Sequence, residues 1–550
     1  MKSLSKIIAV TLLFLFTVQC EVIDTGLLDS PNAVTPDNVD ANFLLNNIQL
    51  QARGIYTGSA LRGAQLTRQR RLFGGTYAAA YVPQDMNAVH QTTYSSVFID
   101  VQNLLPIAEE NEQYFHMGMG QFFKAFGLIT MVDMFGDMPF SEALNADIFN
   151  PRLDDGASIY AAALDLLDQA IVNFQREDRL AFPPDLYYPQ FSGDAKVEAW
   201  VKAANTLKLK AYVNMRQVDP GAATAGINAL LADEIGMITS PAHDFTFEYS
   251  TNDTNPDSRH PLFTNNYLNG ANDYIGLSIM HMMLFDKVAR DPRIRYYFYR
   301  QRLQNTNDIN EQSCLAASAP GHFNEDDPWC QLVEGYWGNG HLNTEGIPPD
   351  TFARTVFGVY PAGGRFDANQ GQGVNQNMGL QGAGIQPMLM SFLTHFLLAE
   401  AALTLDGVAL DARQLLEDAV RLSIQTVHAF GAPVAEADFV PTQAIIDAFV
   451  SEVMAQYDAQ PLRTIAKELY IASFPGGMEA WNVMRRTGFP NREDGIQPAL
   501  NASPGNWYRS LPYPANLVNR NSNVSQKAGA APNHIRVFWD VRGADDEFDF

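Results

Sequence analysis

Two stretches of the chain gather flat aromatic rings among amides: Tyr77 to Tyr94, containing Tyr81, Gln84, Asn87 and Tyr94, and Trp329 to Trp337, containing Tyr336. A soluble sugar or peptide offers little apolar area. Its capture needs rings to cover C–H faces and a few amides or guanidinium groups to answer hydroxyls and carbonyls. Trp337 is flanked by Gly338, Asn339 and Gly340 in a segment without periodicity, which makes it the leading single position. For each ring the competing reading is ordinary core.

Groups arranged for bond chemistry do not stand out beside these. There is no Gly-x-x-x-x-Gly-Lys phosphate loop, no His-Glu-x-x-His zinc helix and no Gly-x-Ser-x-Gly elbow, and the ten histidines are scattered. Carboxylate pairs such as Asp326-Asp327, or Asp133 near Asp137, are what chance supplies among 61 acidic residues. A glycoside hydrolase would need two at a set separation, which sequence does not give. Asn324-Glu325-Asp326-Asp327 has oxygens for calcium but not the spacing of a calcium loop. The expectation is a binding protein, not an enzyme, with no catalytic residues, no resident metal and no cofactor. The 37 basic residues leave a net charge of −24, which repels phosphate backbones and argues against nucleic acid as a partner.

At the amino terminus Lys2 and Lys6 precede the apolar run Ile7 to Phe16, long enough for a signal-peptide core and too short to span a bilayer. Cys20 follows directly, and behind it Glu21, Asp24 and the turn-rich Asp29-Ser30-Pro31-Asn32 read as a tether. This resembles a bacterial lipoprotein signal, in which the cysteine becomes the acylated first residue. Gln19 stands where such signals usually carry a small residue, so an ordinary signal peptide with an incidental Cys20 is the alternative. With Cys20 acylated, Cys314 and Cys330 remain as an even pair in an exported chain, either a disulfide or two buried thiols.

The elements that must position these groups are helices. Phe115, Met119, Phe122, Phe126 and Ile129 recur at three- and four-residue intervals within Glu112 to Phe135. Gly118, Gly120 and Gly127 in that stretch suggest close approach to a neighbour. Stripes also run through Ile159 to Phe174 and from Val197 to Met215. Leu389 to Leu403 and Leu415 to Leu422 form a hairpin broken at Asp406-Gly407, and a further helix from Leu462 is interrupted at Pro475-Gly476-Gly477. Thr239 to Ala271 and Asn305 to Gln386 have no sustained period, the signature of long functional loops or loops with short strands of their own.

Several passages spread over the chain resemble the SusD/RagB family of nutrient-binding outer-membrane lipoproteins. The most specific is Phe135-Gly136-Asp137-Met138-Pro139-Phe140-Ser141-Glu142-Ala143. Gly193-Asp194 with Trp200 and Asn205-Thr206-Leu207-Lys208-Leu209-Lys210 is similar to a family helix, with Thr206 and Lys210 as conservative departures. Asp291-Pro292-Arg293, Leu397-Leu398-Ala399-Glu400-Ala401, Gly477-Met478-Glu479-Ala480-Trp481-Asn482, Arg485-Arg486-Thr487-Gly488-Phe489-Pro490 and Arg509-Ser510-Leu511-Pro512-Tyr513-Pro514 complete the set. Physically these passages read as architectural: Gly136-Asp137 with Pro139 stops a helix, and Arg485 and Arg486 offer forked donors to carboxylates or carbonyls.

The resemblance implies a mostly α fold, a SusD-like scaffold of tetratricopeptide-like helix pairs with long irregular loop insertions. The expected organisation is a signal peptide at 1–19, a lipidated tether at 20–38, scaffold at 39–304, a loop-rich insertion at 305–386 and scaffold again at 387–550. It also implies capture of a glycan, or alternatively a peptide, at the outer membrane, with a lipid anchor and a SusC-like TonB-dependent transporter as partner. A carbohydrate-active hydrolase is the more distant alternative. The family's binding surface is built by loops from an early segment and the later insertion, the same two regions that carry the aromatic stretches here.

Overall fold

Residues 40–178, 180–268, 273–345, 349–527 and 535–543 are described by a computed structural model. The signal peptide, Cys20 and the tether lie outside the described residues.

Helix α1 (Ala41–Leu66) opens on Asp40, whose carboxylate accepts the Asn42 N–H at 2.9 Å and so satisfies one of the donors a helix start leaves free. A helical run through Asn87–Thr92 and Thr93–Phe98 leads into α2 (Ile99–Glu110), and α3 (Tyr114–Phe135) follows. The stripe read from Phe115 to Ile129 is only part of what α3 buries, because Phe123, Leu128 and Val132 are buried as well. A helix apolar on all sides belongs in the middle of a protein, and α3 packs against α1, α2 and α4 (Gly156–Phe174). Its glycines make room for large side chains and, at Gly118, for backbone as well: a Cβ on Gly118 would stand 2.6 Å from the Phe174 ring and 3.1 Å from the Ala170 carbonyl oxygen, one on Gly127 2.7 Å from the Phe98 ring.

From α4 the chain continues into α5 (Gly193–Met215), α6 (Pro220–Ala232) and, after a loop, α7 (Leu277–Phe285). The carboxy-terminal block holds α8 (Ser391–Thr404), α9 (Ala412–Gly431), α10 (Gln443–Ala459), α11 (Pro461–Ala472) and α12 (Met478–Thr487). Each of these packs on the next, α8 also touches α5, and α12 returns to α1, so the two ends of the chain build one mostly α scaffold of stacked helix pairs. Strand β1 (Phe245–Glu248) pairs antiparallel with β4 (Ile385–Leu389), and β2 (Phe298–Arg300) with β3 (Thr355–Phe357), which ties the irregular middle of the chain to itself.

The junction of the two blocks is polar and closed. Glu400 accepts from Arg486 Nε at 2.9 Å and Nη2 at 2.8 Å, and forms an ion pair with Arg216, whose Nη2 lies 2.8 Å from its carboxylate. Arg485 Nη1 donates to the Asp133 and Arg509 carbonyls, both at 2.8 Å, while its guanidinium lies 3.7 Å over the Trp481 ring. The Asp133 carboxylate accepts from Tyr160, from Asn482 Nδ2 at 2.9 Å and from Trp539 Nε1 at 3.0 Å. Gly136 ends α3 with φ at 78°, and Asp137 Oδ1 accepts the Gly156 N–H at 2.9 Å. The motif passages are therefore where the scaffold is fastened.

Candidate ligand-binding site

Three irregular segments, from residues 68–74, 275–276 and 338–343, lie against one another and form a floor. Isolated bridges join Arg70 to Ile275, Gly276 to Asn339 and Phe73 to Asn343. The Leu342 N–H donates to the Leu72 carbonyl at 2.8 Å, and the Leu500 N–H to the His341 carbonyl at 3.0 Å. Glycine is required for this crossing: a Cβ on Gly276 would stand 1.9 Å from the Arg68 carbonyl oxygen, and one on Gly338 2.2 Å from that of Ile275.

Above the floor is a cavity of about 340 Å³, lined among others by Gly75, Gln312, Trp329, Asn339, Asn343 and Glu345. That volume falls within the range of small-ligand sites. The wall carries the disulfide Cys314–Cys330, with Cα atoms 5.6 Å apart, so the loop bearing half-buried Trp329 is stapled beside the cavity. Phe323 meets Trp329 edge-on at 5.7 Å, and His322 Nε2 lies 2.8 Å from the Ala499 carbonyl.

Most lining amides hold loop backbone. Asn343 Nδ2 donates to Asn339 Oδ1 at 2.9 Å, while its Oδ1 accepts the Glu345 N–H at 2.7 Å. Gln497 Nε2 donates to the Pro328 carbonyl at 2.7 Å, and Asn501 Nδ2 to that of Gly75 at 3.3 Å. Two carboxylates line the cavity and differ sharply. Asp350 is 2 % exposed; it accepts from Tyr274 Oη at 2.7 Å and Trp337 Nε1 at 3.3 Å, and pairs with Arg354 at 2.8 Å. Burial pushes its carboxyl up, against the pull of Arg354 and these hydrogen bonds. Glu345 is exposed and accepts a hydrogen bond from Ser313 Oγ.

The residues expected to bind divide accordingly. Trp329 lines the cavity. Trp337 does not: it is 0 % exposed, fixed by its indole N–H to Asp350 and by its backbone N–H to Thr355 Oγ1 at 2.9 Å, so no ring face is open to a ligand. Tyr336 is likewise buried, with the Arg300 guanidinium 4.8 Å over its ring. Tyr81 is buried against Tyr508, its hydroxyl 3.2 Å from Gln65 Oε1, and Tyr94 is buried with its hydroxyl donating to the Pro139 carbonyl at 2.7 Å. These four rings are core: all are buried, and the polar atoms of Trp337, Tyr81 and Tyr94 find partners inside the protein. Asn87 is half-buried and accepts the Asn516 N–H at 2.9 Å, and Gln84 is exposed away from the cavity lining.

The residues that sequence reasoning missed are Asn339, Asn343, Thr344, Glu345 and Asn501. The Gly338 to Gly346 run, dense in Asn and Gly, was the available signal; among its described residues Asn339, Asn343, Thr344 and Glu345 line the cavity. The acidic turn at Asn324 to Asp327 commits Asp327 to Arg492, whose Nε lies 3.1 Å from Oδ2, and to the Asn324 N–H at 2.6 Å. Among the described residues no group of three or more His, Cys, Asp or Glu is placed to hold a metal.

The family profile described as "Starch-binding associating with outer membrane" matches residues 31–323, and that described as "Susd and RagB outer membrane lipoprotein" matches residues 382–539. No curated protein matches the sequence. Among solved structures, a chitin-binding protein is 19% identical, with 92% of this chain and 100% of that one covered at a TM-score of 0.64. A chitin-binding SusD homologue from Flavobacterium johnsoniae is 18% identical, with 91% and 98% covered at 0.60. A SusD/RagB family protein from Bacteroides thetaiotaomicron is 18% identical, with 92% and 99% covered at 0.64. At such identities the likeness concerns the fold.

Proposed function

The chain belongs to the SusD-like family, and we propose that it is a non-catalytic outer-membrane lipoprotein that takes up glycans in the cavity beside Trp329 and passes them to a TonB-dependent transporter. The observation that carries the reading is the cavity itself, built where an early segment meets the long insertion and walled by a half-exposed indole on a disulfide-stapled loop. A ring at that position can cover a sugar face, while the amides and Glu345 around it answer hydroxyls. The chitin-binding proteins of the same fold support a glycan over a peptide. A hydrolase would need a second free carboxylate, and Asp350 is engaged by Tyr274, Trp337 and Arg354. No helix among the described residues is long and apolar enough to cross a membrane, so attachment in this reading rests on acylated Cys20.

Calorimetric titration with neutral oligosaccharides and with short peptides tests this, together with product analysis of the same mixtures. Saturable glycan binding without turnover is expected. Heat from peptides alone, or reproducible glycan cleavage, would overturn it.

A further inference from the structure

Resting on that reading, we infer that the cavity selects by charge: it accepts neutral and amine-bearing glycans and rejects glycans that carry carboxylates. Among the described residues its lining contains no Lys, Arg or His, and contains Glu345 and Asp350.

The neighbouring cations do not reverse this sign. Arg354 is fully buried and pairs with Asp350 at 2.8 Å, and its guanidinium is 4.1 Å over the Tyr274 ring. Arg70 pairs with Asp273 at 2.5 Å. Arg71 stacks 4.8 Å over Phe73 and 5.1 Å over Tyr274, and its Nη2 donates at 3.4 Å to the backbone carbonyl of Glu345, not to its carboxylate; it does not line the cavity. Asp350 is thus neutralised where it stands, and Glu345 is left as the charge that an incoming ligand meets. Its hydrogen bond from Ser313, on the disulfide-bearing loop, holds the carboxylate across the cavity mouth without cancelling its charge.

A polyanionic glycan therefore pays twice. It approaches a chain of net charge −24, which slows encounter at low salt, and then meets a carboxylate with no guanidinium to bridge them. A hydroxyl or an ammonium can donate to the same oxygens. The specificity is for what donates hydrogen bonds and carries no negative charge.

The test uses pairs of oligosaccharides that differ at C6 alone: a chitin hexamer and a maltohexaose, each against its C6-oxidised carboxylate form, with the deacetylated chitin hexamer at mildly acid pH added as the amine-bearing member. Each is titrated calorimetrically into the folded mature protein at low and moderate salt. In whichever pair binds, the neutral or amine form should lead the carboxylate form, by a margin that narrows as salt rises. Glu345→Gln should shrink that margin about two- to fivefold, the range expected for one exposed charge pair, and Glu345→Lys should shrink it further. Because the readout is a ratio within one variant, any loss common to both members cancels. A carboxylate form that binds as tightly as its neutral partner, or a margin unchanged in both variants, overturns charge selection while leaving glycan capture standing. Absence of binding by every glycan in the set overturns the capture reading, and charge selection with it.

Discussion

The junction of the helical blocks and the cavity wall both set carboxylates among rings and guanidinium groups, and they differ in how much hydrogen-bonding capacity is left over. At the junction Glu400 faces two guanidinium groups and Asp133 three side-chain donors, all buried. At the cavity mouth Glu345 is exposed and takes one hydroxyl donor. A closed network specifies a fold; an open carboxylate beside a half-exposed indole has something to offer a ligand. The passages by which the family is recognised hold the scaffold, and the Asn- and Gly-rich loops line the cavity proposed as the site.

The comparison breaks most visibly at the junction. Arg486→Leu leaves part of the Glu400 charge unanswered in the interior, and should cost about 3–5 kcal/mol in denaturant unfolding. Trp337→Ala should cost about as much, since it empties a fully buried indole site and strips a donor from Asp350. A change under about 1 kcal/mol in either would show the region to be less tightly committed than its geometry indicates.

Acid should find the same place. Burial pushes the Glu400 carboxyl up, but Arg216 and Arg486 together bring it below its ordinary value. Its contribution to stability is then fully present above the unfolded-state value of about 4.3 and is lost as pH falls through the lower folded-state value. Unfolding midpoints measured from neutral pH downward should drop below about pH 4.3, and Arg486→Leu should flatten that drop.

At the cavity the effects turn from stability to affinity. Replacing Cys314 and Cys330 by serine releases a loop whose ends are 16 residues apart, worth up to about 3 kcal/mol of constraint on the unfolded chain. Glycan affinity should fall in this variant even at temperatures where circular dichroism shows it folded. The smallest change in stability belongs to Trp329→Ala, which should weaken binding about tenfold, the equivalent of 1.4 kcal/mol, with an unfolding midpoint far closer to wild type than that of Trp337→Ala. If the two tryptophan variants behave alike, the division between anchor and platform is wrong.

Helices with apolar stripes were legible: α3, α4, α5, the α8–α9 hairpin and the α11 start all follow from period, and the break at Pro475-Gly476-Gly477 lies between α11 and α12. Helix α1 was not, because its buried positions include Gln49, Ser59 and Gly63, which give no apolar pattern. Gln49 is buried for a reason that sequence hides: its amide donates to the Pro184 carbonyl at 3.0 Å and accepts the Leu186 N–H at 2.8 Å. Gly63 is there because a Cβ would stand 2.3 Å from the Gly477 carbonyl oxygen, across more than four hundred residues of chain. Helix α10 carries a short stripe at Phe449, Val453 and Tyr457 that the periodicity reading omits.

For the proposed site, composition singled out a loop that lines the cavity but not which of its residues face it. An aromatic ring in an aperiodic segment can be a platform or an anchor, and only the partner of its polar atom separates them. Trp337 has Asp350, Tyr94 has the Pro139 carbonyl, and Tyr81 has Gln65. Trp329 stands half-exposed over the cavity, beside amides whose own turn geometry holds them in place. Those partners lie 13 to 45 residues away in sequence, so the flanking Gly338, Asn339 and Gly340 that placed Trp337 first say nothing of where its indole N–H goes.

The most direct measurement is a crystal structure of the mature protein soaked with the neutral oligosaccharide that binds best in titration. The account predicts a sugar ring in the cavity, with one face toward the Trp329 indole and hydroxyls within hydrogen-bond distance of Glu345 and the amides of the 339–343 segment. A fully occupied sugar bound elsewhere on the protein, with the cavity beside Trp329 empty, would contradict it.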